Sequence, residues 1–104
     1  MPAYLIANVD VIDTETFKNY LKATPAIIKK FGGKFLVRGG DFEICEGNWN
    51  PKRLVVVEFE SMQKAKQFYN SPDYKAIIDL RQSSAYTEWV FVDGLSKEMK
   101  IRIA

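Results

Sequence analysis

The most restrictive feature of this sequence is the segment RLVVVEF at residues 53–59, which is apolar at four consecutive positions. Runs of β-branched residues favour β-strands, and a strand with apolar residues at consecutive positions has to be covered on both faces. Two other segments share this character, YLIANVDV at residues 4–11 and YTEWVFVD at residues 86–93. The chain therefore needs a fold in which a sheet is covered from two sides.

Between the first and second predicted strands, the apolar residues recur at intervals of three and four, which predicts an amphipathic helix. Asp13 is the expected N-cap, and Gly32 and Gly33 end the helix. Pro25 lacks an N–H, so we expect a kink there or a fresh start capped by Thr24. The apolar stripe consists of Phe17, Tyr20, Leu21, Thr24, Ile27, Ile28 and Phe31.

The rest of the chain completes a β-α-β-β-α-β order. KFLVR at residues 34–38 predicts the second strand, and residues 42–45 form a short strand-like piece before an irregular stretch. Ser61 caps the second helix, which Ser71 and Pro72 restart. This order predicts an α+β fold, a ferredoxin-like βαββαβ sandwich with a four-stranded antiparallel sheet.

A chain of 104 residues forms one domain. We assign residues 1–94 to a single ferredoxin-like domain and residues 95–104 to a C-terminal tail. Two helices cover only one face of the sheet, yet three strands are apolar on both faces, and a soluble surface rarely exposes so large an apolar patch. A second copy of the same sheet is the expected cover, so we predict a homodimer that closes into a dimeric α/β barrel.

Composition excludes several classes of function. The chain has no histidine, which rules out histidine-dependent triads and histidine-ligated haem. A net charge of +2 with scattered basic residues argues against nucleic-acid binding, and no segment is apolar enough for a membrane span. Cys45 is the single cysteine, which predicts an inert half-buried thiol in a cytoplasmic protein. We expect no metal and no cofactor.

A set of motifs resembles one known family. They are Gly32-Gly33, LVRGG at residues 36–40, EG at 46–47, RLVVVEF at 53–59, SPDY at 71–74, and Arg81. Together they resemble domain of unknown function family 1330, in the dimeric α/β-barrel superfamily, over about residues 3–94. The resemblance implies a ferredoxin-like fold and a dimer. The superfamily includes cofactor-independent monooxygenases, haem-degrading enzymes, lactone isomerases and non-enzymatic binders, and those that depend on histidine are poor guides here.

Strand alternation suggests a site on the face away from the helices. Leu54, Val56 and Glu58 share one face of the third strand, in phase with Tyr4 and Asn8 of the first strand and, we expect, with Leu36 and Arg38 of the second. If these positions point into the dimer lumen, Asn8, Arg38 and Glu58 are polar groups in an apolar cavity that includes some of Trp89 or Phe91. Arg38 then anchors an anionic or carbonyl group, and Glu58, its pKa raised by burial, transfers a proton. The alternative is a structural Arg38–Glu58 ion pair.

The remaining candidate ligand-binding residues are Tyr4, Trp49, Arg53 and Arg81. Trp49 either closes a pocket mouth or plugs the space under its loop. Arg53 and Arg81 either bind ligand or clamp Glu46, Asp79 or a helix terminus.

Two functional hypotheses remain. The first is a small-molecule-binding dimeric barrel, with cofactor-independent catalysis on a small carbonyl or enolisable compound as its enzymatic form. The second is a non-catalytic structural or ligand-binding dimer module. An open lumen favours the first hypothesis, and a lumen filled by side chains favours the second.

Overall fold

The computed structural model describes residues 1–95, so most of the predicted tail lies outside the described residues. The strands form one antiparallel sheet in the order β2-β3-β1-β4. This architecture confirms the predicted α+β ferredoxin-like sandwich. The elements in chain order are β1 (Ala3–Val11), α1 (Thr14–Lys30), β2 (Lys34–Arg38), β3 (Leu54–Phe59), α2 (Met62–Asn70), α3 (Pro72–Lys75), α4 (Ile78–Gln82) and β4 (Ala85–Asp93).

Helix α1 begins where the sequence predicts. The Asp13 side chain accepts from the Thr16 backbone N–H at 3.2 Å and from the Thr16 hydroxyl at 2.7 Å, and these hydrogen bonds lower the pKa of Asp13. The helix then runs without a break through Pro25. The predicted fresh start at Thr24 is therefore wrong, because Thr24 donates its hydroxyl to the Tyr20 carbonyl inside the helix, at 2.6 Å.

The second helical region consists of three short helices. Ser71 ends α2, and its side chain accepts from the Tyr74 backbone N–H at 3.1 Å, with Pro72 at the first position of α3. This confirms the predicted restart. A further break at Ala76 and Ile77 separates α3 from α4.

The sheet has two different faces, which we call the closed face and the open face. The closed face packs against the helices and carries Ala3, Leu5, Ala7 and Val9 of β1 and Val57 and Phe59 of β3, all buried. The open face carries the alternate residues, with Ile6, Leu36, Val90 and Val92 exposed. The predicted placement of Leu54, Val56 and Glu58 together on the face away from the helices is confirmed.

The predicted directions of Arg38 and of the aromatic rings of β4 are wrong. The β2–β3 register shifts between Phe35 and Val37, so Arg38 lies opposite Val55 and on the closed face rather than with Leu36. On β4, Trp89 lies opposite Ala7 and Phe91 opposite Leu5, which places both rings on the closed face too. Neither ring contributes to the open face, where Val90 and Val92 lie instead.

The connection between β2 and β3, residues 39–53, also differs from expectation. No strand forms at residues 42–45. Cys45 is exposed rather than half-buried, and Trp49 is 59% exposed, so it does not act as a plug within the chain. None of the helices in residues 1–95 is both long enough and apolar enough to cross a membrane.

Candidate functional site

A cavity of about 40 Å³ lies between α1 and the closed face of the sheet, and we call it the arginine cavity. An ordered water needs about 10–15 Å³ by this measure, so the space corresponds to about three waters. Apolar side chains from α1 and the sheet form most of the wall, including Leu5, Phe17, Ile28 and Val57. The polar side chains in the wall are Tyr20, Thr24, Arg38, Arg53, Arg81 and Trp89.

Arg81 is the most deeply buried of the three arginines. It is a residue of α4 and only 6% exposed. Its Nε donates to the Tyr74 hydroxyl at 3.1 Å, and its Cζ lies 4.7 Å from the centroid of the Trp89 ring. One hydrogen bond and one ring contact thus orient a guanidinium whose side chain lines the cavity.

Arg38 lies at the exposed end of the cavity, and the hydrogen bond that orients it depends on a proline. Pro25 has no N–H, so the carbonyl of Leu21, four residues earlier, loses its usual helical partner. Arg38 Nη2 donates to this carbonyl at 3.0 Å. The Arg38 guanidinium also lies 4.7 Å from the centroid of the Phe35 ring. The residue predicted to interrupt the helix therefore creates the acceptor that orients Arg38.

Arg53 directly precedes β3. Its carbonyl accepts from the Val9 backbone N–H at 2.9 Å, and its guanidinium is 5.9 Å from the centroid of the Phe17 ring. Burial lowers the pKa of Arg53, and the positive charge of Arg38 lowers it further. Gly39, with φ +72°, leaves room for this guanidinium, because a Cβ at Gly39 would collide with it.

No acidic side chain lines the arginine cavity. The ion pairs within residues 1–95 are Lys18–Glu15 and Lys30–Asp73, and neither involves a cavity arginine. The predicted alternative, in which Arg53 or Arg81 clamps Glu46 or Asp79, is therefore not observed among these residues. Buried charges are usually paired. Side chains of three arginines, with no carboxylate among their neighbours in the wall, therefore border one mostly apolar cavity.

Two tyrosines connect to Arg81. The hydroxyl oxygens of Tyr20 and Tyr74 are 2.7 Å apart, and Tyr74 also accepts from Arg81. Burial raises the pKa of both tyrosines. Tyr20 and Thr24 were predicted as members of the apolar stripe of α1, and Thr24 also as a cap, but neither was predicted as a site residue. Their spacing of four places them on one helix face, but no signal in the sequence separates a core position from a cavity wall.

The other predicted site residues lie on the open face. Tyr4 donates its hydroxyl to Glu58 Oε2 at 3.2 Å; burial and this hydrogen bond raise the pKa of Tyr4. Asn8 donates to Glu88 Oε1 at 2.9 Å and accepts from the Lys52 backbone N–H at 2.8 Å. Glu58 thus pairs with Tyr4 and not with Arg38. The predicted Arg38–Glu58 ion pair is wrong, because the bulge in β2 places the two side chains on opposite faces of the sheet.

Seven predicted site residues therefore separate into three places. Arg38, Arg53 and Arg81 come together in the arginine cavity, Tyr4, Asn8 and Glu58 share the open face, and Trp49 lies in the exposed loop. No group of three or more His, Cys, Asp or Glu side chains suited to a metal ion occurs in residues 1–95.

Several known structures share the ferredoxin-like fold of this chain. A protein of unknown function from Rhodopseudomonas palustris superimposes with a TM-score of 0.76 at 15% identity, over 91% of this chain and 83% of its own. SnoaB, described as a cofactor-independent oxygenase from Streptomyces nogalater, gives 0.65 at 9% identity, over 95% and 98%. A dimeric ferredoxin-like protein of unknown function from Thermobifida fusca gives 0.53 at 16% identity, over 88% and 89%.

Among sequence families, the profile described as Domain of unknown function (DUF1330) matches residues 2–95. The chain belongs to this family, as its motifs indicated. No curated protein matches it. Three motif residues of the resemblance, Arg38, Arg53 and Arg81, are the three arginines of the cavity.

Proposed function

We propose that this protein binds a small anionic, partly apolar molecule in the arginine cavity. The observation that carries the proposal is the convergence of Arg38, Arg53 and Arg81 on one cavity whose wall holds no acidic side chain. A carboxylate is the simplest ligand that matches, because a planar guanidinium binds it through two parallel hydrogen bonds. The apolar wall accommodates the rest of the ligand.

The size and depth of the cavity limit the ligand. A volume of about 40 Å³ accommodates a carboxylate group with a short tail. Arg81 is buried and Arg38 is exposed, so positive charge extends from solvent to the interior. This gradient draws an anion inward, since charge interactions strengthen where water is excluded. Longer ligands keep their remaining atoms toward the Arg38 end.

We also propose that the protein is a cytoplasmic homodimer paired through the open face. The exposed apolar residues on this face support the pairing, because such patches mark interaction sites. A structural neighbour described as dimeric supports it as well. An exposed single cysteine, Cys45, fits a reducing compartment.

An enzymatic form of the proposal is cofactor-independent chemistry on a small carbonyl or enolisable compound. The description of SnoaB as a cofactor-independent oxygenase supports this class of reaction. In such a reaction, Arg38 and the other two arginines stabilise negative charge on a ligand oxygen. Glu58, the predicted acid or base, lies on the opposite face from this cavity, so its proposed catalytic role applies to a ligand in the dimer lumen. The alternative, a non-catalytic module, predicts binding without turnover.

The binding proposal is tested by calorimetric titration of acetate, butyrate and benzoate, each compared with its neutral amide. We expect the carboxylates to bind more tightly than the amides. Replacing Arg81 by Met should weaken carboxylate binding at least roughly tenfold, because a charge-assisted hydrogen bond is lost. Lys18→Met removes an exposed positive charge outside the cavity and is the control. Equal binding of acids and amides, or an unaffected Arg81→Met protein, would contradict the proposal.

A further inference from the structure

We propose that the connection between β2 and β3 forms a docking groove for the C-terminal tail of a second copy of this chain, with residues 99–103 of that copy as the occupant. The inference rests on the proposed pairing of two chains and is independent of the arginine cavity. It names the segment that one chain contributes to the other.

The groove lies in the part of the connection that we call the acidic arm, residues 40–51. Phe42, Ile44 and Trp49 of this arm are 41%, 50% and 59% exposed. Together with Leu54 they line a groove of about 210 Å³. Leu54 lies on the open face, so the groove adjoins the surface proposed to pair. Apolar side chains exposed together mark a surface that binds a partner.

The backbone of the acidic arm also lacks partners among the described residues. Within residues 1–95, residues 40–51 make no backbone–backbone hydrogen bond, and no strand forms at residues 42–45. An extended segment gains such hydrogen bonds when another strand is added alongside it. The arm therefore offers backbone N–H and C=O groups to an added strand.

The side chains of the arm restrict which strand fits. Asp41 and Glu43 alternate with Phe42 and Ile44, and the arm also contains Glu46 but no lysine or arginine. Opposite charges stabilise paired strands and like charges destabilise them. The complementary strand therefore has apolar residues on one face and basic residues on the other. The acidic arm of a second copy does not meet this requirement, because its charges have the same sign.

Residues 99–103 of the tail have the complementary pattern. Met99, Ile101 and Ile103 alternate with Lys100 and Arg102. Such alternation is typical of a strand with one apolar face. Paired with the arm, this segment would place apolar side chains beside apolar ones and basic side chains beside carboxylates.

Distances along the sheet favour the tail of a second copy over the tail of the same chain. Gly94 donates to the Pro2 carbonyl at 2.7 Å, whereas Leu54 lies opposite Asn8, near the other end of β1. Six residues along β1 and two strand spacings separate Gly94 from Leu54 by about 22 Å. The five residues from Gly94 to Met99 span at most about 18 Å. Met99 of the same chain therefore cannot reach Leu54.

The single cysteine of the chain allows a direct test by cross-linking. Cys45 is exposed and lines the groove. Ile101→Cys adds a thiol to the tail, and a short bismaleimide joins thiols that lie close together. We expect most of the Ile101→Cys protein to run as a covalent dimer on a denaturing gel. Gln63→Cys, at an exposed position of α2, is the matched control and should remain largely monomeric.

Two further proteins exclude links between like cysteines. They are the wild type, which has only Cys45, and Ile101→Cys in a Cys45→Ser background, and neither should form the covalent dimer. A link between positions 45 and 101 within one chain, found by peptide mass spectrometry of the monomer band, would overturn the assignment to a second copy. A dimer yield no higher than that of Gln63→Cys would overturn the docking itself.

Light scattering of the wild type separates this inference from the proposed pairing. If the wild type is dimeric but positions 45 and 101 do not cross-link, the pairing stands and the inference fails. If the wild type is monomeric at all concentrations, both fail.

Charge reversal tests the pairing of the arm with the tail independently. Glu43→Lys and Lys100→Glu should each raise the dimer dissociation constant roughly fivefold, because an attraction becomes a repulsion at both symmetric contacts. The double variant should recover most of the wild-type affinity, and Lys64→Glu, at an exposed position of α2, is the control. A double variant that dimerises more weakly than either single variant would overturn the pairing of these two segments.

Discussion

Each of the two faces of the sheet has one group of side chains in an unusual environment. The closed face, which the helices cover, borders the cavity that Arg38, Arg53 and Arg81 line. The open face, against which no helix of residues 1–95 packs, exposes apolar side chains such as Ile6 and Val90. In most soluble proteins charges are exposed and valines and isoleucines are buried. Each face therefore departs from the composition that stability alone would favour.

This contrast bears on the roles proposed for the two faces, which are ligand binding and dimer pairing. Burying the Arg81 guanidinium without a counter-charge costs stability, and such costs concentrate at functional sites. Exposing an apolar sheet also costs stability in a monomer, and a second copy removes that cost. The contrast supports the two proposals, that a ligand binds on the side of the closed face and that a second copy pairs with the open face. The following predictions test whether the two roles separate as cleanly as the two surfaces.

The largest expected effect is a loss of dimer affinity, caused by a charge placed on the open face. Val90 is 56% exposed in the single chain, and Val90→Asp would put two carboxylates into the proposed dimer interface. Uncompensated buried charges cost about 3–5 kcal/mol, so the dimer dissociation constant should rise at least roughly 100-fold. Light scattering after size-exclusion chromatography measures the change.

The control for this experiment is Gln63→Asp, which adds the same charge on the exposed surface of α2. It should leave the mass of the particle unchanged. A wild-type protein that is monomeric at all concentrations would refute the assignment of the open face to pairing. The folded structure of Val90→Asp, followed by circular dichroism, should stay intact because Val90 contributes little to the core of one chain.

The second prediction compares adjacent valines of β3 that point to opposite faces. Val57 is fully buried on the closed face, and Val56 is half-buried on the open face. Val57→Ala should lower the free energy of unfolding by about 2 kcal/mol through lost burial and the cavity left behind. Val56→Ala should lower it by less than half as much. Urea denaturation in the Val90→Asp background excludes any contribution from dimer dissociation. Equal losses would mean that the two faces are equally covered within one chain.

Much of the fold could be predicted from the sequence because the apolar patterns are long and the caps are specific. The 3.6-residue stripe of α1, its Asp13 cap and the Ser71–Pro72 restart each rest on local physics. The alternation of residues along β3 also predicted correctly that Leu54, Val56 and Glu58 share one face of the sheet. Pro25 was the exception. The Leu21 carbonyl, which Pro25 leaves without a helical partner, accepts from Arg38, and Arg38 lies thirteen residues beyond Pro25.

The candidate site was predicted only in part, for two physical reasons. First, β4 is apolar in both alternation phases, so Trp89 and Val90 were equally good candidates for either face. Second, the bulge in β2 between Phe35 and Val37 depends on pairing with β3. No glycine or proline in β2 predicts it. One extra residue moved Arg38 to the other face. The three arginines were named, but their convergence is a tertiary property.

The third prediction concerns the turn that accommodates Arg53 on the closed face. Gly39 has φ +72°, and an added Cβ would meet the Arg53 guanidinium. Gly39→Ala should therefore lower the free energy of unfolding by about 1 kcal/mol and weaken carboxylate binding by displacing Arg53. Gly40→Ala is the control, because a Cβ there meets nothing within 4 Å. Thermal denaturation and calorimetry provide the two readouts. If Gly39→Ala binds butyrate like Gly40→Ala, Arg53 is not part of the site.

The smallest expected effect is on the free energy of unfolding at alkaline pH, and it comes from Tyr4 on the open face. Burial and the hydrogen bond to Glu58 raise the pKa of Tyr4 above its ordinary value of 10.0. The folded state then holds the proton more tightly than the unfolded state, so this contribution to stability is full below pH 10 and is lost as the pH rises through the folded-state pKa. Tyr4→Phe should flatten the stability curve slightly above pH 10, and Tyr86→Phe, at an exposed position on the same face, is the control.

A second copy over the open face should enlarge this effect, because further burial raises the pKa of Tyr4 further. The difference between wild type and Tyr4→Phe above pH 10 should therefore be greater in the dimeric protein than in the Val90→Asp background. Urea denaturation at a series of pH values measures both differences. If they are equal, Tyr4 stays in contact with water in the dimer, and the two sheets pair along a part of the open face that leaves Tyr4 and Glu58 uncovered.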